Sequence, residues 1–408
     1  MKRSSLWLTS QASMGIVQWI GVAIIIAPLI LQRTSSGLLV GQVMLILGLT
    51  GLVAPLLGAI ADRYLIHRQL HLGAMLCHCL ALFILLFVNQ THWHYWFVAL
   101  CIGLGSNLLL ILNPTFAIRL NQEAKEKANA LRLLFQFQMA GVVIAGITMG
   151  ILHHFSLSST VQLAALLSLD IACLAISLLH PPQSIHSMQS NHPTQESVTV
   201  SSTPKTNSTL LWFCFVLCVL LSMFVGSNMV EMGPVIIAQA FDVELSHSSF
   251  GMAAAALITL VALAPAGRWM EKHGSHILWL GTVTINTFVG VGIWLMFGND
   301  VLALFPLSLI LISIINGAWN DISIASFADE ISPFGPATSQ GYMAAAVSIG
   351  FSIGTYIVGH QLDHQDIQGV MVFLATSGIG VLAVATVVIL MYHYRNIPAR
   401  NQSKVPRA

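Results

Sequence analysis

The organisation of the chain is decided by a short stretch, Gly58-Ala59-Ile60-Ala61-Asp62-Arg63, which returns in altered form as Gly267-Arg268-Trp269-Met270-Glu271-Lys272. In each stretch a glycine is followed by an adjacent acidic and basic pair, and the shift between them is 267 − 58 = 209 residues. The same shift places Asn107 on Asn316. A unit of this size written twice in parallel predicts two similar halves, an arrangement typical of carriers whose halves rock about a site between them.

The composition independently indicates a membrane protein. With 408 residues, a mean hydropathy of +0.81 and 8% charged side chains, the chain cannot form a soluble surface. A helix needs about 20 apolar residues to cross a hydrocarbon core of about 30 Å. The windows of that length are 6–31, 37–60, 71–89, 94–118, 130–152, 160–180, 209–240, 248–267, 277–298, 301–328, 339–361 and 368–392. The sequence therefore predicts an all-α membrane protein with twelve transmembrane helices in two pseudo-symmetric six-helix bundles.

The polar segments set the predicted domains and orientation. A Ser/Thr/Asn-rich linker without apolar periodicity separates the bundles. If Met1 lies inside, 15 of the 16 Lys and Arg residues fall on the cytoplasmic side, and only Arg33 is misplaced. We therefore expect both termini in the cytoplasm of a multi-pass cell-membrane protein, in a bacterium the inner membrane. The predicted units are an N-terminal bundle at 1–180, a cytoplasmic linker at 181–208, a C-terminal bundle at 209–392 and a cytoplasmic tail at 393–408.

Several function classes lack support in the sequence. The net charge of +1 offers no basic surface for nucleic acid. All six cysteines lie in predicted spans, which argues against a disulfide framework. Cys77-His78-Cys79 is a weak metal candidate, because helical residues two apart point in nearly opposite directions. No nucleophile–base arrangement, Walker loop or metal-ligand spacing is present, so we expect neither an enzyme nor an ATP-driven pump, and no cofactor or metal.

The first stretch resembles the loop motif Gly-x-x-x-Asp-Arg-x-Gly-Arg-Arg of the major facilitator superfamily. Leu65 stands where that family usually has a glycine, and the second copy is looser. The resemblance covers essentially the whole chain, including the twelve spans and the long central loop, and implies a network that closes one face of the protein. The implied gating residues are Gly58, Asp62, Arg63, Gly267, Glu271 and Lys272. The alternative is that Asp62 and Arg63 merely cap the helix as a solvated pair contributing about 0–1 kcal/mol.

Polar residues deep in the spans are candidates for substrate contact, because each is costly in lipid and usually faces a cavity or a partner. Asn107 and Asn316 are repeat-equivalent, and the resemblance places them on cavity-lining helices four and ten. The remaining candidates are Trp319 and Asn320 on helix ten, Gln11, Gln18 and Trp19 on helix one, and Asn228 on helix seven. Amides beside aromatic surfaces suit a polar or amphipathic organic solute. The alternative is that these amides bond neighbouring helices together.

Three carboxylates lie within spans and could carry protons, because burial favours the neutral acid. Glu231 is the first candidate, since it shares a face with Asn228 and precedes a Gly233-Pro234 break. Asp321 is five residues beyond Asn316 and is expected to point away from the cavity. Asp170 lies on helix six, which the resemblance makes a peripheral support helix. For each of them the alternative is a structurally paired carboxyl.

Two glycine-containing helices complete the pattern. Helices five and eleven carry Gly141 and Gly350 at equivalent positions, and the resemblance assigns these helices to the seam between the halves. The sequence thus favours a secondary active transporter that moves a small organic solute by alternating access, proton-coupled, with efflux slightly preferred. Its partners would be the solute, protons and the lipid bilayer, without nucleic acid, and the protein would be a monomer. The alternatives are a proton-coupled uptake symporter and a non-transporting sensor or scaffold of the same fold.

Overall fold

The computed structural model describes residues 3–34, 37–87, 92–119, 123–182, 206–241, 248–299, 301–302 and 304–402. Helices make up nearly all of these residues, and no strand occurs among them. The twelve helical segments of the described chain are α1 (3–34), α2 (37–64), α3 (His67–Phe87), α4 (His92–Arg119), α5 (Ala124–His154), α6 (Ser159–Leu179), α7 (206–241), α8 (Ser248–His273), α9 (Ser275–Met296), α10 (Leu304–Ile331), α11 (Pro336–Asp363) and α12 (Ile367–Gln402). Most of the linker predicted at 181–208 lies outside the described residues.

Segments α2 to α12 provide the 11 described helices that are long and apolar enough to cross a membrane. Segment α1 is divided into shorter pieces: a 3-10 turn at Arg3–Leu8, an α-helix at Thr9–Met14, a π-helical stretch at Gly15–Ile26 and an α-helix at Ala27–Thr34. No single piece of α1 therefore reaches spanning length. The fold class predicted from the sequence, an all-α membrane protein built of two six-helix bundles, is confirmed.

The two bundles repeat the same helix packing. In the first, α1 packs on α5, and α3 packs on α4 and α6. In the second, α7 packs on α11, and α9 packs on α10 and α12. Helix α7 is interrupted between Thr206–Glu231 and Gly233–Phe241, at the break indicated by Gly233-Pro234, because the proline cannot donate a backbone hydrogen bond.

Small residues bring helices together inside each bundle. A β-carbon at Gly141 would lie 2.2 Å from the carbonyl oxygen of Ala12, and one at Gly350 would lie 2.2 Å from that of Leu220. The glycines therefore let α5 approach α1 and let α11 approach α7. Helices α5 and α11 do lie at the seam between the halves, as the resemblance implies, but Gly141 and Gly350 themselves pack against a helix of their own half.

The seam itself is formed by α2 against α11 and by α5 against α8. Along it, a β-carbon at Gly58 would lie 2.3 Å from the carbonyl oxygen of Ala337, and one at Gly341 would lie 2.6 Å from that of Ala54. These contacts are backbone to backbone. The halves are consequently in close contact at the end of the molecule that carries Asp62.

Candidate functional site

A central cavity of about 270 Å³ lies between the two halves. Helices α1, α2, α4 and α5 line one side of it, and α7, α9, α10 and α11 line the other. Its apolar wall is rich in methionine and aromatic residues: Met14, Met44, Met223, Met343, Trp19, Phe135 and Phe351. The polar groups on the wall are Gln18, Ser106, Asn107, Gln138, Ser227, Asn286, Asn320, Asp321, Gln340 and Ser348. An apolar surface with several polar groups at separate points is the usual character of a small-molecule site.

Asn107 lies on this wall and connects the halves. Its Nδ2 donates to Thr50 Oγ1 at 2.9 Å and to the Gly103 carbonyl at 2.8 Å. Its Oδ1 accepts from Ser348 Oγ of the second half at 3.3 Å. Asn107 therefore contributes both to the cavity wall and to the contact between the halves.

Asn316, the repeat equivalent of Asn107, lies elsewhere. Its Nδ2 donates to the Thr282 carbonyl at 2.9 Å and to Asn286 Oδ1 at 2.8 Å, both on α9. Trp319 similarly donates from Nε1 to the Ala262 carbonyl of α8 at 2.9 Å. Neither residue is on the cavity wall. Both join helices within the second half, as in the alternative reading of such groups.

The cavity-facing surface of α10 consists of Gly317, Asn320, Asp321, Ile324 and Ala325. Their spacing of three, four, seven and eight residues is that of one helix face. The helix face that contains Asn316, which the sequence predicts to face the cavity, is rotated from this observed face by one residue, or about 100° around the helix. Asp321 therefore lines the cavity, and the expectation that it points away is wrong.

Asp321 is distinctive because its carboxylate makes no hydrogen bond or ion pair with another residue in the described part of the chain. The other described intramembrane acid, Asp170, is buried inside the first half, where it accepts hydrogen bonds from Ser13 Oγ and from Cys79 Sγ, the latter at 3.1 Å. The side chain of Glu231 lies outside the described residues, although its backbone ends the first part of α7. Among the described side chains, the acid at the cavity wall is thus Asp321.

Of the three candidate residues on α1, two line the cavity and one lies behind the cavity wall. Gln18 and Trp19 line the cavity, and Gln18 Oε1 is buried without a hydrogen-bond partner among the described residues. Gln11 does not line it. Its Nε2 donates to Gln138 Oε1 at 2.8 Å, and its Oε1 accepts from Asn113 Nδ2 at 2.7 Å. Gln11 therefore holds Gln138, which does reach the wall.

Asn228 on α7 is buried behind the wall. Its Nδ2 donates to the Phe224 carbonyl at 2.7 Å, and Oδ1 has no partner in the described part of the chain. Gly354 of α11 lies against this amide, since a β-carbon there would be 2.8 Å from Asn228 Nδ2. The structure thus places Asn228 at the contact of α7 with α11.

Asp62 lies at the contact between the halves and caps the N-terminus of α11. It accepts hydrogen bonds from the backbone N–H of Ala337 at 3.3 Å, and from the N–H and the Oγ1 of Thr338 at 2.8 Å each. His67 Nε2 lies 3.3 Å away on its own side. The free N–H groups and the dipole at a helix N-terminus favour a carboxylate there. Arg63 is exposed, with its guanidinium 5.6 Å from the Tyr64 ring centre.

The second copy of the motif makes weaker contacts across the seam. Glu271 Oε1 lies 3.2 Å from Lys125 Nζ, in the first turn of α5, and both side chains are partly exposed. A β-carbon at Gly267 would meet the side chain of Arg132, at 2.9 Å from Cδ, and Lys272 is exposed. A third ion pair, Lys127 to Asp329 at 3.2 Å, joins the halves nearby. Ion pairs and the helix cap therefore hold this end closed.

Several polar residues of the cavity wall are not among the candidates that the sequence indicates: Ser106, Gln138, Ser227, Asn286, Gln340 and Ser348. A mid-span position was the available signal, but it does not say which side of a helix faces the cavity. Gln136 shows the difficulty, since its Nε2 donates to the Leu260 carbonyl of α8 at 3.1 Å while Gln138 faces the cavity.

Among the described residues, no group of three His, Cys, Asp or Glu side chains is arranged to hold a metal ion.

Two six-helix halves around a central cavity define the architecture of a membrane transporter. The model of the Major Facilitator Superfamily matches residues 119–355, more than half of the chain, and the chain belongs to this superfamily. No curated protein sequence matched it.

The fold is similar to that of two solved transporters. The human organic anion transporter MFSD10 (TETRAN) has a TM-score of 0.69 and 12% identity, with 94% of this chain and 99% of that chain covered. A bacterial homologue of the iron transporter ferroportin, in an outward-facing state, has a TM-score of 0.69 and 13% identity, with 96% and 100% covered. The same homologue with soaked iron has a TM-score of 0.68 and 13% identity, with 95% and 99% covered. At these identities the similarity shows the fold alone.

Proposed function

We propose that this transporter is a secondary active carrier that exchanges a small amphipathic organic solute for protons by alternating access, with efflux as its direction. The mixed wall of the central cavity supports the solute class. Methionine and aromatic side chains such as Trp19 and Phe351 offer apolar contact, while Asn107, Asn320 and Gln18 offer hydrogen bonds at separate points.

The observation that carries the proposal is the unpartnered carboxylate of Asp321 in this cavity. An ionised carboxylate away from bulk water is costly unless a proton or a donor group of the solute stabilises it. Because the same oxygen atoms would accept either, proton and solute compete for Asp321. Competition for one group means that the carrier exchanges a proton for a solute molecule. When protons enter down an inward gradient, this exchange expels the solute.

Alternating access would require the closed end to open. The contacts that would break are the cap of α11 by Asp62 and the pairs Lys125–Glu271 and Lys127–Asp329. All three join one half to the other, so rocking of the halves as rigid bodies separates them together. Solute or proton binding would then act by favouring one of the two arrangements.

The proposal is tested with purified protein in liposomes carrying an imposed pH gradient. A defined mixture of amino acids, sugars, organic acids and lipophilic amines is added, and mass spectrometry identifies the compounds that the gradient redistributes. Asp321→Asn keeps the size of the side chain but cannot titrate, so it should abolish gradient-driven movement while retaining exchange of labelled for unlabelled compound. Glu126→Gln, at an exposed acid, is the matched control and should behave as wild type.

Three outcomes would overturn the proposal or part of it. Asp321→Asn protein that still concentrates a compound under the gradient would exclude Asp321 as the coupling acid and return attention to Glu231. Uptake of a proton on solute binding, measured in weakly buffered detergent solution, would mean symport and solute uptake instead of exchange. Specific binding without any flux would mean a sensor or scaffold of the same fold.

The orientation is also part of the proposal: the termini and the 181–208 linker face the cytoplasm, supported by the distribution of basic residues. Single cysteines are introduced in a cysteine-free background as Ser190→Cys, Asp242→Cys and Asp363→Cys. An impermeant thiol reagent applied outside intact cells should label the second and third but not the first. Labelling of Ser190→Cys from outside would reverse the assigned topology.

A further inference from the structure

A line of polar side chains leads from the central cavity into the first half. It consists of Ser106 on α4, His78 on α3, Ser13 on α1 and Asp170 on α6, and each is at most 2% exposed. Ser106 stands on the cavity wall, whereas Asp170 lies at the far end of the line. Four helices thus place four polar groups in a row inside the first bundle.

The hydrogen bonds along this line form one continuous chain. Ser106 Oγ lies 3.1 Å from His78 Nε2, and Ser13 Oγ lies 3.2 Å from His78 Nδ1. The hydroxyl of Ser13 in turn donates to Asp170 Oδ1. Because the single hydrogen of Ser13 is used on the carboxylate, Ser13 accepts from an Nδ1–H of His78. The Nε2 atom of the ring is then the acceptor for Ser106, and every donor points toward Asp170.

We propose that this chain is a proton relay and that Asp170 is a buried proton-binding site filled from the central cavity. A hydronium ion in the cavity gives its proton to Ser106 Oγ and becomes water, while the hydrogen of Ser106 passes to His78 Nε2. The hydrogen on Nδ1 passes to Ser13, and the hydrogen of Ser13 passes to Asp170 Oδ1. The net change is one proton gained by the carboxylate, with His78 left neutral and its hydrogen on Nε2.

The same four groups also suit the protonated state. A neutral Asp170 donates to Ser13, Ser13 donates to His78 Nδ1, and the Nε2–H of His78 faces Ser106 Oγ as its acceptor. Every bond persists with its direction reversed. The two states therefore differ by one proton, and neither leaves a buried donor of the relay without an acceptor.

The surroundings hold the relay in place. A β-carbon at Gly105 would lie 2.6 Å from His78 Cδ2, so the glycine provides the space for the imidazole ring. The titratable groups around Asp170 are His78 and Cys79 on α3 and Cys173 on its own helix, and Cys79 Sγ donates to Oδ2 at 3.1 Å. Among the described residues, neither α1 nor α5 adds another titratable group there. In the described part of the chain, the basic side chain linked to the carboxylate is therefore His78, through Ser13.

Proton binding at Asp170 does not depend on the identity of the solute or on the role of Asp321, and it is tested without a solute. Infrared spectra of the protein in liposomes are recorded as a function of pH to find the carbonyl band of protonated Asp170, identified by its loss in Asp170→Asn. If that variant does not fold, Asp170→Glu identifies the band by a shift. Transfer from H₂O to D₂O then gives the rate at which the carboxyl hydrogen exchanges.

His78→Gln and Ser13→Ala should slow this exchange at least about tenfold, which corresponds to about 1.4 kcal/mol of added barrier. Ser106→Ala should slow it as well, because it removes the hydroxyl at the cavity end. Ser222→Ala is the matched control, since 222 − 13 = 209 places it at the equivalent position of the second half, and it should exchange as wild type. The absence of any Asp170 band at all accessible pH values, or equal exchange rates in His78→Gln and wild type, would overturn the proposal.

Discussion

The two halves of the molecule share one fold and use equivalent positions for different purposes. In the first half Asp62 caps the N-terminus of α11 with three hydrogen bonds, whereas its counterpart Glu271 makes a single exposed pair with Lys125. Asn107 faces the cavity and the other half, whereas Asn316 faces α9 of its own half. The first copy of each pair thus makes the stronger contact between the halves. Glu271 also joins the halves, but through one partly exposed ion pair, whereas Asn316 bonds only within its own bundle.

The acids are distributed unequally as well. The first half places Asp170 in its interior and reaches it from the cavity through His78. In the second half the position equivalent to His78 is Thr287 (287 − 78 = 209), whose Oγ1 donates to the Gly378 carbonyl of α12 at 2.8 Å. That hydrogen bond joins α9 directly to α12 without a titratable group, and the described intramembrane acid of the second half, Asp321, lies in the cavity instead. Duplication has preserved the helix packing, while the polar chemistry differs between the copies.

The strongest test of this asymmetry compares Gly58→Ala with Gly267→Ala. The new methyl group at position 58 would lie 2.3 Å from the backbone carbonyl of Ala337, whereas at position 267 it meets the flexible side chain of Arg132. Gly58→Ala should force α2 from α11 and favour opening of the Asp62 end by about 1–3 kcal/mol, or roughly 5- to 150-fold in population. Gly267→Ala should stay within about 0.5 kcal/mol of wild type.

The measurement is the reactivity of a single cysteine on the cavity wall, Ser227→Cys, toward an impermeant reagent added to each side of the membrane in turn. Gly58→Ala should raise labelling from the side of Asp62 and reduce it from the opposite side. Equal labelling in both glycine variants would mean that the two copies of the motif pack alike in the membrane.

The second prediction concerns the cap of α11. Asp62→Asn keeps the size of the side chain but loses the charge that accepts from Ala337 and Thr338, which should weaken the closed end by about 1–3 kcal/mol. Transport should fall while solute binding is retained, because Asp62 is not on the cavity wall. Flux and equilibrium binding of a compound from the liposome screen are measured on the same preparation. Loss of binding together with flux would contradict a role in gating.

The third prediction separates the paired asparagines. Asn107→Ala removes a cavity amide and its bond with Ser348, so solute affinity should fall by about 1–3 kcal/mol. Asn316→Ala leaves Asn286 without its donor inside the second half, so the midpoint of thermal unfolding should fall while affinity changes less. Titration calorimetry and a thermal unfolding assay distinguish the two effects. Equal losses of affinity would restore the expectation that both asparagines contact the solute.

The fold could be predicted from the sequence because the hydropathy signal and the repeat each extend over whole helices. Small errors in the helix bounds change neither the hydropathy signal nor the repeat. Prediction was less successful for the site, because a cavity face depends on helix rotation. On α10 the face that lines the cavity is rotated by one residue from the predicted face. This rotation removes Asn316 from the cavity wall and brings Asp321 onto it. The relay was beyond prediction for a related reason: Ser13, His78 and Ser106 are far apart in the chain, and only the packing of α1, α3 and α4 brings them together.

The smallest effect is expected at the exposed pair of the second copy. Glu271 and Lys125 are 34% and 65% exposed, so water and salt screen their attraction, and their coupling should be about 0–1 kcal/mol. A double-mutant cycle of Glu271→Gln and Lys125→Met, measured through the labelling of Ser227→Cys, gives this coupling directly. It should decrease further as salt is raised, and transport by Glu271→Gln protein should remain close to wild type. Coupling as large as the effect of Asp62→Asn would mean that both copies of the motif gate the transporter, because an acid at either helix end would then hold the halves together equally.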